Sequence, residues 1–204
     1  MINPRKVPKQ ARAKETCDAI LEAAAQIIAA NGLAGFTTNA VAARAGVSIG
    51  SLYQYYPNKD AVMVALIHRS QQQQLHSVGI ALSRLGEAGE VSLTAKVRAI
   101  VRAAMQHHRD DALLASAIDH EEARLPISVE LDAYLLQGGQ MVRSLLVLHA
   151  AEIGPIDADH AVRTLPSLVR AAGDAWANLS PPQLDRAEEE AVRAVMGYLS
   201  WDAA

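Results

Sequence analysis

The stretch from Thr37 to Tyr56 leaves little choice of fold. It spaces a hydroxyl, a small residue, a glycine and a second hydroxyl as two short helices joined by a tight turn require. Thr38 is placed to cap the first helix, its oxygen accepting a backbone N–H that the first turn leaves without a partner. Ala42 is small enough for a close helix crossing, and Gly46, four residues on, can take the left-handed conformation of an interhelical turn. Val47 then fills the space between the helices, Ser48 caps the second helix, and Leu52 points back into the core. Ile49, Gly50 and Ser51 fall in the first turn of the second helix, the part of a helix-turn-helix that meets base edges. Gly50 and Ser51 are small enough to let the backbone approach a groove floor. After them, Tyr53, Tyr55 and Tyr56 crowd into four positions and Lys59 adds a charge, placing donors where phosphate oxygens flank a groove. Tyr56 is expected to pack the small domain together, and Tyr53 and Tyr55 to offer hydroxyls outward.

The rest of the 204-residue chain is expected to be helical too. Half of it is hydrophobic but only 4% is aromatic, and alanine is abundant, a composition suited to closely packed helices rather than to sheets. Ile20, Leu21, Ala24, Ile27 and Ile28 recur at helical spacing and predict a helix over Lys14 to Ala30, stopped by Asn31 and Gly32. Asn58 can cap a helix reaching Leu85, with Asp60 in its first turn. Further helices are predicted over Ser92 to His108, Asp110 to Arg124, Ile127 to Ala151, Asp157 to Leu179 and Gln183 to Leu199. Asp110 and Asp157 are read as caps, and Pro126, Pro155, Pro181 and Pro182 as punctuation. The four glutamines Gln71 to Gln74 are expected on a solvated stretch of helix. About nine helices result, in an all-α chain with an N-terminal domain over 1–60 and a second domain over 61–204.

The net charge of −3 conceals an asymmetry. Met1 to Arg69 holds eight Lys or Arg against four Asp or Glu, a balance of +4, and the remainder holds eleven against eighteen, a balance of −7. The basic end is either a solvated tail or the face that meets a nucleic-acid backbone. Its arm, residues 1–13, carries Arg5, Lys6, Lys9 and Arg12, with Lys14 just beyond. The single cysteine, Cys17, can make no intramolecular disulfide and no cysteine-based metal site, which fits a reducing cytoplasm. The basic start leads into no apolar run with a cleavage site, and Leu131 to Ala151 is interrupted by Gln137, Gly138, Gly139, Gln140 and Arg143. A soluble cytoplasmic protein is expected.

From about Ile20 to Leu66 the chain resembles the TetR family of transcriptional regulators. The resemblance is carried by Ala23-Ala24-Ala25 through Asn31-Gly32, by Phe36-Thr37-Thr38, Val41-Ala42 and Ala45-Gly46-Val47-Ser48, and by Gly50-Ser51-Leu52-Tyr53, Tyr55-Tyr56 and Asn58-Lys59-Asp60. It implies a three-helix DNA-binding domain, a larger helical ligand domain, a two-fold homodimer, and repression of an operator relieved by a small molecule. It further implies that Thr38, Tyr53, Tyr55 and Lys59, with Thr37 beside them, touch phosphates, and that Ser48, Ile49, Gly50, Ser51 and Gln54 face bases. One departure matters: Arg44 is the only Lys or Arg between Lys14 and Lys59, so the reading helix has no arginine for bidentate guanine contact.

Beyond Gln71 the resemblance fades and pattern must serve. Leu165, Val169, Ala172 and Trp176 form one apolar stripe, and Val192, Val195, Met196 and Leu199 form another at helical spacing. Two such helices per subunit could form a four-helix dimer interface, the reading that the family resemblance favours over core packing within one subunit. Met105, His108, His120, Tyr134, His149 and Trp176 are the candidates for an effector pocket, each also open to an ordinary core or solvent-facing role. The competing class is an all-α metal-dependent enzyme. It finds little support, because Asp119, His120 and Glu121 are successive on a helix and point apart, and no Glu-x-x-His or His-Glu-x-x-His pairing occurs. No cofactor is implied.

Overall fold

Six of the described helices begin where a side-chain oxygen stands three residues ahead of an otherwise unpartnered N–H. The computed structural model describes residues 11–87, 91–125, 128–177 and 183–200, apart from the side chains at 107, 128–135, 176 and 177. Every described element is a helix. They are α1 (Ala11–Gly35), α2 (Thr38–Arg44), α3 (Ile49–Tyr55), α4 (Lys59–Glu87), α5 (Leu93–Ala104), α6 (Gln106–Asp110), α7 (Ala112–Arg124), α8 (Ser128–Leu148), α9 (Ala158–Ala177) and α10 (Leu184–Leu199). Asn58 Oδ1 accepts the Ala61 N–H at 2.8 Å, and Asp157 Oδ1 accepts the N–H groups of Asp159 and His160 at 2.8 and 3.1 Å, as expected of caps.

Two caps fall one residue from their expected places. Thr37, not Thr38, caps α2 and accepts the Ala40 N–H at 3.2 Å. Asp111, not Asp110, caps α7 and accepts the Leu114 N–H at 2.9 Å. Each site offers two adjacent acceptors, and the favoured one sits three residues before the donor. The segment read as one helix from Ser92 to His108 is two, broken at Met105, where neither glycine nor proline marks the break. The first helix breaks at its expected stop, where Gly32 leaves helical geometry with φ +62°, and a short helical turn follows to Gly35.

The chain divides into two compact units, Met1–Ser70 with Asp111–Ser128, and Gln71–Asp110 with Val129–Ala204. The first unit is built around α1, whose Ile20, Leu21, Ala24, Ile27 and Ile28 are buried as the periodicity predicts. Phe36, Val41, Ala42, Leu52 and Tyr56 close over them, and α4 contributes Val62, Met63, Leu66 and Ile67. α7 packs along α1 and adds Ala117, Ile118 and Leu125 to the same core. That long-range pairing lies outside a unit ending at residue 60: the short helices α2 and α3 leave part of α1 uncovered, and α7 packs there. By length and composition α1 could cross a bilayer, but eight of its residues are buried in this core.

In the second unit α9 and α10 lie side by side and α10 packs on α5. Leu93, Val97 and Val101 of α5, Leu145 and Leu146 of α8, Ala161 and Leu165 of α9, and Ala191, Val192, Val195 and Leu199 of α10 form its core. The buried carboxylate of Glu188 is gripped by both guanidinium arms of Arg102 at 2.9 Å and by Arg109 at 3.1 Å, tying α10 to α5 and α6. The glutamine run is not wholly solvated: Gln71 is buried, and Gln74 donates to the Ala104 carbonyl at 2.6 Å, satisfying an end group of α5. Positions 71, 74 and 78 share one face of α4, and that face turns inward.

Candidate nucleic-acid interface

The turn between α2 and α3 is set by Gly46 at φ +68°. Its N–H donates to the Ala43 carbonyl at 3.3 Å and the next N–H, of Val47, to the Ala42 carbonyl at 3.1 Å, the paired closure of a Schellman motif. A side chain at Gly46 would be strained whatever the space around it. Both short helices also carry an apolar residue before the cap and another four residues into the helix. Phe36 and Val41 bracket Thr37, and Val47 and Leu52 bracket Ser48, and all four lie in or against the same core. This staple spacing fixes the angle at which the chain enters each helix, so the tip of α3 is held from below.

What remains outward is mostly polar, with Ile49 the apolar exception. Ser48 accepts the Ser51 N–H at 3.0 Å, and their hydroxyls meet at 2.8 Å. Ser48, Ile49, Gly50 and Gln54 are exposed and Ser51 is half-buried. Thr38, released from capping, places its hydroxyl 3.2 Å from the Tyr53 hydroxyl, bridging α2 and α3; one O–H is spent in that bond and the pair retains one that can donate to an anion. Thr37 and Lys59 are exposed, and the Lys59 ammonium stands 5.9 Å from the centre of the Phe36 ring. Tyr56 is 3% exposed and packs the core as expected; burial pushes its hydroxyl, and the Cys17 thiol hydrogen-bonded to it, above their ordinary titration ranges. Tyr55 is half-buried and packs against that core, whereas Tyr53 is exposed. Arg44 is held aside, its Nε donating to Gln26 Oε1 at 2.8 Å. The arm over residues 1–10 lies outside the described residues, and Arg12 and Lys14 are exposed on α1.

The candidate effector residues are scattered. His120 is exposed on α7 in the first unit. The side chains of Tyr134 and Trp176 lie outside the described set. In the second unit Met105 and His108 are both buried and lie together: a Cβ on Gly173 would stand 3.8 Å from Met105 Cε and 3.5 Å from His108 Nε2. His149, also buried, is committed elsewhere. An ammonium can only donate, so Lys96 Nζ gives a proton to Nε2 at 2.9 Å, leaving Nδ1–H to donate to Glu152 at 2.5 Å.

His108 has a further consequence for pH. Burial, the largest cause, and the nearby Arg170 charge lower its basicity from the ordinary 6.5, with Asp174 acting the other way. As pH falls through about 6.5 the unfolded chain takes up a proton before the folded chain does, so stability present above that pH is lost below it. Denaturant unfolding between about pH 5 and pH 7.5 is expected to show this slope, and His108→Gln to flatten it. An unchanged slope in the variant would assign the effect to other groups.

The stripes read as a dimer seam, apart from the Trp176 side chain that lies outside the described set, lie inward. Leu165, Val192, Val195 and Leu199 are buried in the second unit's own core, and Val169, Ala172 and Met196 pack against it. Periodicity identified the apolar face correctly but not the neighbour that covers it.

A helix-turn-helix with capped short helices and an exposed small-residue tip, joined to a separate helical unit, defines a helical DNA-binding transcriptional regulator. Two family models match: bacterial regulatory proteins of the tetR family over residues 20–66, and the tetracyclin repressor-like C-terminal domain over residues 92–199. The chain belongs to the TetR family of bacterial regulators. A comparison with curated protein sequences finds no match. Among solved structures it is similar to the fatty acid degradation regulator FadR from Bacillus halodurans, with 18% identity over 88% of this chain and 97% of that one and a TM-score of 0.67. FadR from Bacillus subtilis, in complex with stearoyl-CoA, gives 17% identity over 87% and 96% and a TM-score of 0.69. A TetR-family regulator from Streptomyces coelicolor gives 22% over 90% and 99%, with a TM-score of 0.66. These likenesses concern the fold, and they lend no support to a metal-dependent enzyme.

Proposed function

We propose that this regulator is a cytoplasmic, non-enzymatic homodimer that represses transcription from a palindromic operator and is released by a small molecule. The observation that carries the reading is the pairing of Thr38 and Tyr53 hydroxyls beside the exposed tip of α3. Thr37, Thr38, Tyr53, Tyr55 and Lys59 grip phosphates, while Ser48, Ile49, Gly50, Ser51 and Gln54 meet base edges. With no arginine on α3, affinity comes largely from the backbone contacts, and base discrimination from the serines, Gln54 and Ile49 packing on thymine methyl groups. A small-molecule effector is supported by the stearoyl-CoA complex of the Bacillus subtilis neighbour. Met105 and His108 are the pair best placed to line its pocket. A dimer built on α9 and α10 uses their outward faces, where Ala171, Ala175, Ala194 and Gly197 are small and exposed, since the predicted stripes are spent inside the subunit.

Fluorescence anisotropy on DNA flanking the protein's own gene tests this reading. Binding is expected to weaken steeply with salt. Lys59→Ala is expected to weaken all sequences alike, and Gln54→Ala to change the preference among them by about 1–3 kcal/mol at one position. Absence of any sequence-specific binding at low salt, with the helices intact by circular dichroism, overturns it.

A further inference from the structure

Resting on the DNA-binding reading above, we propose that Arg124 of α7 is a positioning residue for the phosphate grip at the start of α4, acting by neutralising Asp60. Lys59 and Asp60 follow one another in the first turn of α4, so a half-buried carboxylate lies in the same turn as the exposed lysine assigned to phosphate. Left alone, that carboxylate would repel the same backbone that Lys59 attracts. Arg124, from a distant part of the sequence, brings one positive charge that it shares between Asp60 and Glu121, offsetting the Asp60 charge in part. Arg124 Nη2 donates both to Asp60 Oδ1 at 2.8 Å and to Glu121 Oε2 at 2.6 Å, and its Nε donates to the same Glu121 oxygen at 2.9 Å.

Glu121 is itself buried, so it serves as the anchor that aims the guanidinium, and Asp60 is the group the guanidinium reaches. α7 cannot easily drift from this position, because Ala117, Ile118 and Leu125 are buried in the core that also holds Phe36, Leu52 and Tyr56. The Asp60 charge is further met by the positive end of α4 and its Asn58 cap. Arg124 therefore touches no base in this scheme; it keeps an acidic residue from opposing its neighbour.

The experiment is a charge-rescue cycle in the full-length protein, read by anisotropy on one operator fragment at low salt. Arg124→Gln is expected to weaken binding by about fivefold to tenfold, an effect that shrinks as salt screens the exposed carboxylate. Adding Asp60→Asn to Arg124→Gln is expected to return affinity to within about twofold of the parent, because the group to be neutralised is gone. Two results would overturn the proposal. One is an Arg124→Gln variant that binds as the parent does and only melts earlier, which makes the residue structural. The other is a loss that persists in the double variant, which makes Arg124 a direct phosphate ligand. If the parent itself binds no DNA, the underlying reading fails and the inference with it; if the parent binds and Lys59→Ala weakens it, only the inference is at stake.

Discussion

Phe36→Ala is expected to cost the first unit about 3–5 kcal/mol, the usual range for truncating a buried aromatic, and with it DNA binding at ordinary temperatures. Phe36 is the only phenylalanine in the chain and is 2% exposed. It precedes the Thr37 cap, shares the core with Val41 four residues into α2, and carries the Lys59 ammonium above its ring. Truncation thus removes core volume, the residue that fixes entry into α2, and the surface on which Lys59, proposed to meet phosphate, rests. Against a total stability of roughly 5–15 kcal/mol for a domain, a loss of this size is decisive. The second unit's core contains none of these residues, so its helices should persist while the first unit melts early. Urea unfolding by circular dichroism and limited proteolysis of α1 to α3 would show it. Phe36→Leu, which keeps most of the volume, should lose less than about 1.5 kcal/mol. An alanine variant as stable as the parent would mean that the core collapses onto the vacancy.

The first unit was legible because its signals are local. Gly46 at a tight turn, Ser48 ahead of a short helix, Asn58 ahead of a long one and the α1 stripe each depend on residues within a few positions of one another. Even here the sequence leaves ties: Thr37 and Thr38 are chemically alike, and only the backbone decides that one caps α2 while the other faces Tyr53. What could not be read is long-range pairing. Nothing around Arg124 announces a partner at Asp60, nothing in α10 says that Glu188 will be buried among arginines of α5 and α6, and α7 gives no sign that it covers α1. The same limit explains the α9 and α10 stripes, whose apolar faces were identified but whose cover was not. The effector candidates fared worst, because a lone histidine carries no spacing signal. His108 is buried beside Met105, His149 is held between Lys96 and Glu152, and His120 is exposed.

Gly50→Leu is expected to separate folding from DNA recognition. Gly50 lies in the first turn of α3, and a Cβ built there would meet only the Ser48 hydroxyl oxygen, at 3.8 Å. Its backbone is not in the left-handed region, so the glycine is not required by conformation. Folding alone would favour a side chain at this position, since glycine within a helix costs about 0.5–1 kcal/mol relative to alanine. We ascribe a glycine where the fold would accept more to what approaches from outside. In the proposed complex that space belongs to the floor of a major groove, and a leucine there must lift α3 away from the bases. The variant should therefore melt at or above the parent's temperature and yet bind the operator at least about a hundredfold more weakly, near 2.7 kcal/mol. Gly50→Ala should fall between the two, because one methyl group intrudes less. Thermal melts and anisotropy on the same preparations decide it: a leucine variant that is stable and binds like the parent would show that α3 does not enter the groove by its N-terminal turn, whatever Thr38 and Tyr53 contact.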